Sequence, residues 1–238
     1  MRILITNDDG IMSPVMPELV RWARGLGEVT VVAPKVEQSG KSHAIDFTRP
    51  IEIKEVAIAD DVTVWSMDST PADCVRFAIL GMKLKPDLII SGINRGFNLG
   101  KDIVYSGTCG AIFEGARLGI KGIALSTDPK GFAPALKRLD SLWSFIVEKK
   151  LLDKNNLYNI NIPPEDKGIV YTRQGGIYFY DEFVCIGNDM YEQRGGLLET
   201  DSCDLTLDTD AIRNGYLSIT PLTHERTNLE VFRELNDK

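Results

Sequence analysis

Asp8 and Asp9 stand side by side in Asn7-Asp8-Asp9-Gly10, near the start of a chain of 238 residues. Adjacent carboxylates repel unless a proton or a cation intervenes, so the pair is a candidate metal site. The same four residues also suit an ordinary turn, because Asn, Asp and Gly are turn formers. More oxygen donors lie further along the chain: Ser39 in Gln38-Ser39-Gly40, then Asn94 and Asn98 in the glycine-bearing stretch 92–100. Carboxylate, hydroxyl and amide oxygens are hard ligands suited to Mg²⁺ or Mn²⁺, whereas zinc would ask for His or Cys. The asparagines suit a ribose as well as a metal, and Gly and Asn also crowd into plain turns.

A second chemistry is written in Ser106-Gly107-Thr108, just ahead of a helical pattern. Free backbone N–H groups and the positive end of a helix dipole hold phosphate, and the two hydroxyls add donors. Ser or Thr at such a place also serves simply as an N-cap. The stretch is not a P-loop, since no Gly-Lys-Ser/Thr comes after it. Nor does Cys109 read as a phosphatase nucleophile, because a Cys-x5-Arg loop would need Arg where Gly115 stands. The only histidines, His43 and His224, read as surface or packing residues, and Asp102 either orients Asn94 or a ligand water or lies solvated at the surface. Thr70-Pro71 reads as a capped helix start.

These groups need strands that end in loops. Residues 2–6 form a short apolar run stopped by the Asn-Asp-Asp-Gly turn, a helix is expected from Pro14 and Pro17 to Arg24, and a second strand covers 28–33. That is a β-α-β unit. Further strands are expected at 51–54, 62–65, 86–91, 122–126, 158–162 and 216–220. Helical spacing covers 72–80, 110–118, 134–150 and 228–235, and Gly115 and Gly119 suit close packing of the third helix. Strand and helix in alternation predict an α/β fold with a doubly wound, mainly parallel sheet, whose ligands gather beyond the carboxyl ends of the strands. From 169 to 196 the pattern changes to aromatics among paired glycines, which predicts hairpins and an arm that packs on a neighbour. The division expected is a catalytic core over 1–165, with 166–238 carrying the β-hairpin arm, a late strand and the closing helix.

Composition bounds the partners. The chain is 43% hydrophobic and 26% charged, the ordinary globular range. A net charge of -7 argues against wrapping a nucleic-acid polymer, while a small anion remains open if a metal supplies local positive charge. Four cysteines without CxxC spacing suggest reduced thiols, and the first apolar run is too short for a signal peptide or membrane span. A cytoplasmic protein with no membrane partner is expected.

The set Asn7-Asp8-Asp9-Gly10, Ser39-Gly40, Thr70-Pro71-Ala72-Asp73-Cys74-Val75, Ser91-Gly92-Ile93-Asn94 and Tyr105-Ser106-Gly107-Thr108 closely resembles the SurE (stationary-phase survival protein) nucleotidases in order and spacing. Residues 159–163 and 215–222 resemble the family's later strands, and the stretch from Tyr178 to Tyr191 departs most. The resemblance implies a Rossmann-like fold and hydrolysis of nucleoside 5′- and 3′-monophosphates, with short-chain polyphosphate as a further substrate. It implies Asp8, Asp9, Ser39 and Asn94 as ligands of one divalent metal per subunit, Mg²⁺ or Mn²⁺. It places Asn98 and the Ser106-Gly107-Thr108 turn against the phosphate. It also implies a homodimer or homotetramer with exchanged C-terminal segments.

On this reading the helix start stabilises charge during in-line displacement, and Asp9 guides the proton of the attacking water. Two rivals place acids after a first strand. Haloacid-dehalogenase-like phosphatases form an aspartyl phosphate but space their acids as Asp-x-Asp. A Mg-binding phospho-receiver domain would take Asp68 as acceptor, yet this chain is about twice the length such a domain needs.

Overall fold

The computed structural model describes residues 1–58 and 62–236. β1 (Arg2–Thr6), β2 (Glu28–Pro34) and β4 (Thr63–Met67) join β5 (Leu88–Arg95), β6 (Lys121–Thr127) and β7 (Leu157–Ile162) in one parallel array. Short β3 (Ile53–Glu55) lies antiparallel on the β4 edge, while β11 (Leu217–Leu222) runs antiparallel to β7 and carries β8 (Ile169–Tyr171) beyond it. The nine-stranded order is β3-β4-β2-β1-β5-β6-β7-β11-β8. After β1 the chain builds outward in one direction through β2 and β4, then returns to β1 and builds the other way. The β1/β5 boundary is therefore the topological switch point, where the crevice of a doubly wound sheet opens.

Successive side chains on a strand point to opposite faces, so β1 feeds two cores. Ile3 and Ile5 pack with Leu19 of α1 (Met16–Arg24) and with Leu139 and Leu142 of α4 (Ala133–Glu148). Leu4 instead joins Cys74 and Val75 of α2 (Pro71–Arg76) and Ile112 of α3 (Gly107–Arg117). Fully burying a Leu or Ile stabilises by roughly 1.5–3 kcal/mol, so the strands that end at the crevice are anchored on both faces.

The expected elements form, with instructive differences. β5 does not stop at Ser91: it continues to Arg95 across a break in register between Ser91 and Asn94, a bulge that bends the strand and re-aims its last residues. Gly92 makes this possible, since its φ is 131° and a Cβ would collide with the Leu125 carbonyl oxygen. The helix expected over 72–80 ends as α-helix at Arg76 and passes into a π-helical turn, Phe77–Gly81. Its cap is as expected, with Thr70 Oγ1 accepting from the Asp73 N–H at 3.1 Å. α3 begins at Gly107 rather than 110, because Ser106 accepts from the Cys109 N–H at 3.0 Å and caps it. Gly115 does pack tightly, a Cβ there colliding with Ile89, but Gly119 faces open space with φ 80° and ends the helix.

Three elements escaped the sequence pattern: the 3-10 turn Gly100–Tyr105, α6 (Asp208–Arg213) and a short helix after α4. The short α5 (Leu151–Lys154) comes after α4 and a left-handed Lys150. Residues 166–238 supply β8 and β11 to the main sheet and a single antiparallel hairpin of β9 (Phe179–Gly187) and β10 (Met190–Leu197). Asn188 and Asp189 turn the hairpin with φ 52° and 56°, the left-handed pair that matches strand twist. The chain closes on α7 (Leu229–Asn236), which buries no side chain among the described residues.

Candidate active site

At the end of β1, Asn7 and Gly10 make the turn between themselves. Asn7 Nδ2 donates to the Gly10 carbonyl at 2.8 Å, the Gly10 N–H donates to Asn7 Oδ1 at 3.2 Å, and Gly10 has φ 92°. The carboxylates of Asp8 and Asp9 are left to face neighbouring elements. Asp8 is 4% exposed, and its Oδ1 accepts the Thr108 hydroxyl at 2.7 Å. A Cβ on Gly107 would stand 3.2 Å from Asp8 Cβ and 3.3 Å from its Oδ2, so the first residue of α3 leans directly on the carboxylate. Burial pushes the Asp8 carboxyl up to about 6; the Thr108 hydroxyl opposes this and the Asp9 charge adds to it. Asp9, half-buried, is also raised by burial, against the hydrogen bond its Oδ2 accepts from the Arg95 N–H at 3.1 Å and the Arg95 charge.

The other donors arrive differently. Asn94 Nδ2 donates to the Gly96 carbonyl at 2.7 Å, which turns the amide oxygen the other way. The loop carrying Ser39 is tied to the site through its backbone, the Gln38 N–H donating to the Asp8 carbonyl at 2.7 Å. The Ser39 side chain itself is exposed and donates to Glu37 at 2.6 Å, a bond that leaves lone pairs on its oxygen. Asn98 is buried, and its Nδ2 donates to Ser126 Oγ at 2.7 Å. Ser106 is engaged as the α3 cap, and Gly107 and Thr108 open the helix beside Asp8.

Asn159 and Asn161, which sequence reasoning passed over as ordinary strand residues, hold the Asn98 loop in place. Asn161 accepts the Asn98 N–H at 2.9 Å and donates to its carbonyl at 2.9 Å, while Asn159 donates to that carbonyl at 2.7 Å. The signal was the recurrence of Asn at alternate positions in an otherwise buried apolar strand, where an unpaired amide would be costly. Asp102 does not reach Asn94; its carboxylate accepts the Tyr178 and Phe179 N–H groups at 2.9 and 3.0 Å and pins the base of the hairpin. His43 pairs with buried Glu114 at 2.9 Å, and burial pushes the Cys109 thiol up to about 12, far from a nucleophile. Asp68 sits just past β4, two strands from β1, and is paired with Arg49.

Among the described residues no three of His, Cys, Asp and Glu cluster to hold a metal. A cation here would therefore take two carboxylates and neutral oxygens, an all-oxygen set that fits Mg²⁺ or Mn²⁺. The buried Asp8 carboxylate is balanced by the Thr108 hydrogen bond, and Arg95 supplies positive charge only toward Asp9. The "Survival protein SurE" family model matches residues 3–180. The chain belongs to the SurE family. Its SurE relatives include the "5'-nucleotidase SurE" of Thermoanaerobacter sp. (strain X514), 38% identical over 247 residues and covering 99% of this chain and 97% of the relative. The "5'-nucleotidase SurE 1" of Thermus thermophilus is 38% identical over 238 residues, covering 95% of this chain and 93% of the relative. The crystal structure of the SurE protein from Aquifex aeolicus superposes with a TM-score of 0.78 at 34% identity, covering 99% of this chain and 98% of that one.

Proposed function

We propose that this SurE chain is a metal-dependent 5′-nucleotidase that hydrolyses nucleoside monophosphates to nucleoside and phosphate. The observation that carries the reading is the Thr108–Asp8 hydrogen bond of 2.7 Å, which joins a carboxylate at the switch point to the start of a helix. The relatives named as 5′-nucleotidases support the substrate class. Hydrolysis of 3′-monophosphates and short-chain polyphosphate is proposed with it.

Asp8, Asp9, Asn94 and Ser39 would hold one divalent cation, Mg²⁺ or Mn²⁺, per subunit. When bound, the cation supplies Lewis acidity and positive charge beside the buried Asp8 carboxylate. Thr108 fixes the orientation of Asp8, and the Arg95 N–H fixes that of Asp9. Asn98 and the Ser106-Gly107-Thr108 helix start receive phosphoryl oxygens, the Asn98 side-chain amide, the Ser106 hydroxyl and the N–H groups at the helix start stabilising charge as the ester bond breaks, while the Thr108 hydroxyl stays on Asp8. Asp9, the more open of the two acids, takes the proton of the attacking water. A cytoplasmic setting and a homodimer or homotetramer complete the proposal; no helix among the described residues is long and apolar enough to cross a membrane.

The test is phosphate release from a panel of nucleoside 5′- and 3′-monophosphates and tripolyphosphate, using metal-stripped protein with and without added Mg²⁺ or Mn²⁺. Release that needs the metal and is abolished by Asp8→Asn is expected. Absence of metal-dependent release from every nucleotide would overturn the reading.

A further inference from the structure

Beyond the first turns of α3 lies a second cleft, of about 550 Å³, that the proposed hydrolysis does not use. Its walls carry His43, Arg117, His224 and Arg226, with Phe113 and Ser42 between them. Among the described residues no carboxylate lines it, although the chain as a whole has a net charge of -7. The nearby acid Glu114 lies buried beneath and is already shared: His43 reaches it at 2.9 Å, Arg117 at 2.7 Å and Arg76 at 3.1 Å. Burial opposes ionisation of Glu114, but the His43 and Arg117 hydrogen bonds and the Arg117 and Arg76 charges hold its carboxyl down at about 2. Arg76 also lies 3.8 Å from buried Asp73, so two carboxylates match two guanidinium groups here, and the cation left over on the cleft wall is Arg226. Arg226 is exposed and its side chain forms no hydrogen bond or ion pair among the described residues; its backbone N–H bonds the neighbouring Glu225 carboxylate, which is held down chiefly by its Thr227 hydrogen bonds.

The cleft is built by elements that the candidate active site already fixes. Gly110 of α3 lies so close under residues 42–43 that a Cβ would collide with the Ser42 carbonyl, and the Ser42 N–H and hydroxyl are held by the Tyr105 and Val104 carbonyls at 3.0 and 2.6 Å. From Thr108 at Asp8 to Arg117 in the cleft is nine residues of one helix, roughly 13 Å at 1.5 Å per residue. The half-buried Phe113 ring stands beside the His43 ring, with centroids 6.4 Å apart, and offers a flat apolar wall. Guanidinium groups match phosphate oxygens in fork geometry, and an aromatic wall suits a base.

We propose that this cleft is a second anion site, which binds an oligophosphate group, whether of inorganic polyphosphate or of a nucleoside di- or triphosphate, on Arg117, Arg226, His43 and His224. The site is separate from the catalytic carboxylates and does not depend on their assignment.

Calorimetric titration of the metal-free full-length protein tests it, with inorganic tripolyphosphate and a nucleoside triphosphate carrying a non-hydrolysable β–γ bridge as the probes. Binding is expected to weaken by about tenfold or more in Arg226→Glu and in Arg117→Glu, and to weaken with added salt, because like charge replaces a phosphate partner. Similar affinity for the two probes marks inorganic polyphosphate as the source; tighter binding of the nucleotide, lost in Phe113→Ala, marks the base as a contact. Both arginine side chains are on the surface, and unchanged thermal melts would show that the variants fold. Metal-dependent hydrolysis of nucleoside monophosphates, measured on the same preparations, should stay within about twofold of wild type, as expected of changes outside the reacting groups. No binding of either probe, or binding as tight in both arginine variants as in wild type, overturns the proposal whatever the hydrolysis assay reports.

Discussion

Thr108 hydrogen-bonds Asp8 across a hundred residues of sequence, and the worth of that bond can be separated from the worth of the carboxylate itself. A hydroxyl that orients a metal-binding carboxylate contributes to affinity without touching the substrate's reacting atoms. Replacing it, Thr108→Val, keeps the volume and removes the donor. On the proposed role, metal affinity and metal-dependent turnover fall by about 10- to 100-fold, the usual cost of losing an outer partner of a ligand. Metal titration of phosphate release checks this, and saturating metal should recover part of the rate; full activity at limiting metal would remove Thr108 from the machinery. The residue types were legible at this scale: two acids, a hydroxyl pair and asparagines in strand-end loops all lie in elements that meet at the crevice. Their partners were not. Asp102 has the right chemistry for a site, yet its position opposite the Tyr178 and Phe179 N–H groups makes it a clamp for the hairpin, a fact set by a contact 76 residues away. Asn159 and Asn161 look like interruptions of a buried strand until the Asn98 backbone they satisfy is seen.

α3 links the two clefts, and its first residue is the one whose added Cβ would press on the catalytic carboxylate. Gly107 sits at a helix start with ordinary backbone geometry, so alanine there should favour the helix by about 0.5–1 kcal/mol. Yet the added Cβ would meet the Asp8 Cβ at 3.2 Å, and the carboxylate must shift by a few tenths of an ångström. Gly107→Ala is therefore expected to leave the thermal midpoint equal or higher while lowering turnover by about tenfold, since small misplacements of reacting groups are costly. Parallel thermal melts and phosphate-release assays distinguish this from simple destabilisation, which would lower both. Element positions were largely readable, because apolar runs of strand length and helical spacing alternate along the chain. The bulge in β5 was not: Gly92 looked like the end of a strand, whereas the structure uses it to pass the Leu125 carbonyl and continue to Asn94 and Arg95. The start of α3 was misplaced by three residues for a related reason, as Gly107 and Thr108 read as loop by composition while the Ser106 cap recruits them into the helix.

Two elements of the whole molecule are poorly explained by one chain alone. An isolated two-stranded hairpin is marginally stable in water, and β9–β10 pairs with no other strand among the described residues. Phe183, Ile186, Met190 and Tyr191 on it are exposed by 55% or more. α7 is eight residues long, short of the roughly 12–15 an isolated helix needs, and it exposes Leu229, Val231, Phe232 and Leu235. Apolar surface gathered on elements without internal support is the usual mark of an interface. The aromatic segment and closing helix were visible in the sequence, and the apolar surface each exposes supports the proposed homodimer or homotetramer. Sedimentation equilibrium should give a mass at least double the 26.4 kDa of the chain. Placing charge on the two elements separately, as Phe183→Lys with Ile186→Lys and as Phe232→Lys with Leu235→Lys, is expected to lower that mass, because each buried apolar side chain is worth roughly 1.5–3 kcal/mol to an interface. If only the hairpin variant dissociates, α7 is dispensable to assembly; if only the helix variant does, the hairpin is. A wild-type mass of one chain at micromolar concentration would remove the oligomer from the proposal and leave the exposed apolar surface for a different partner.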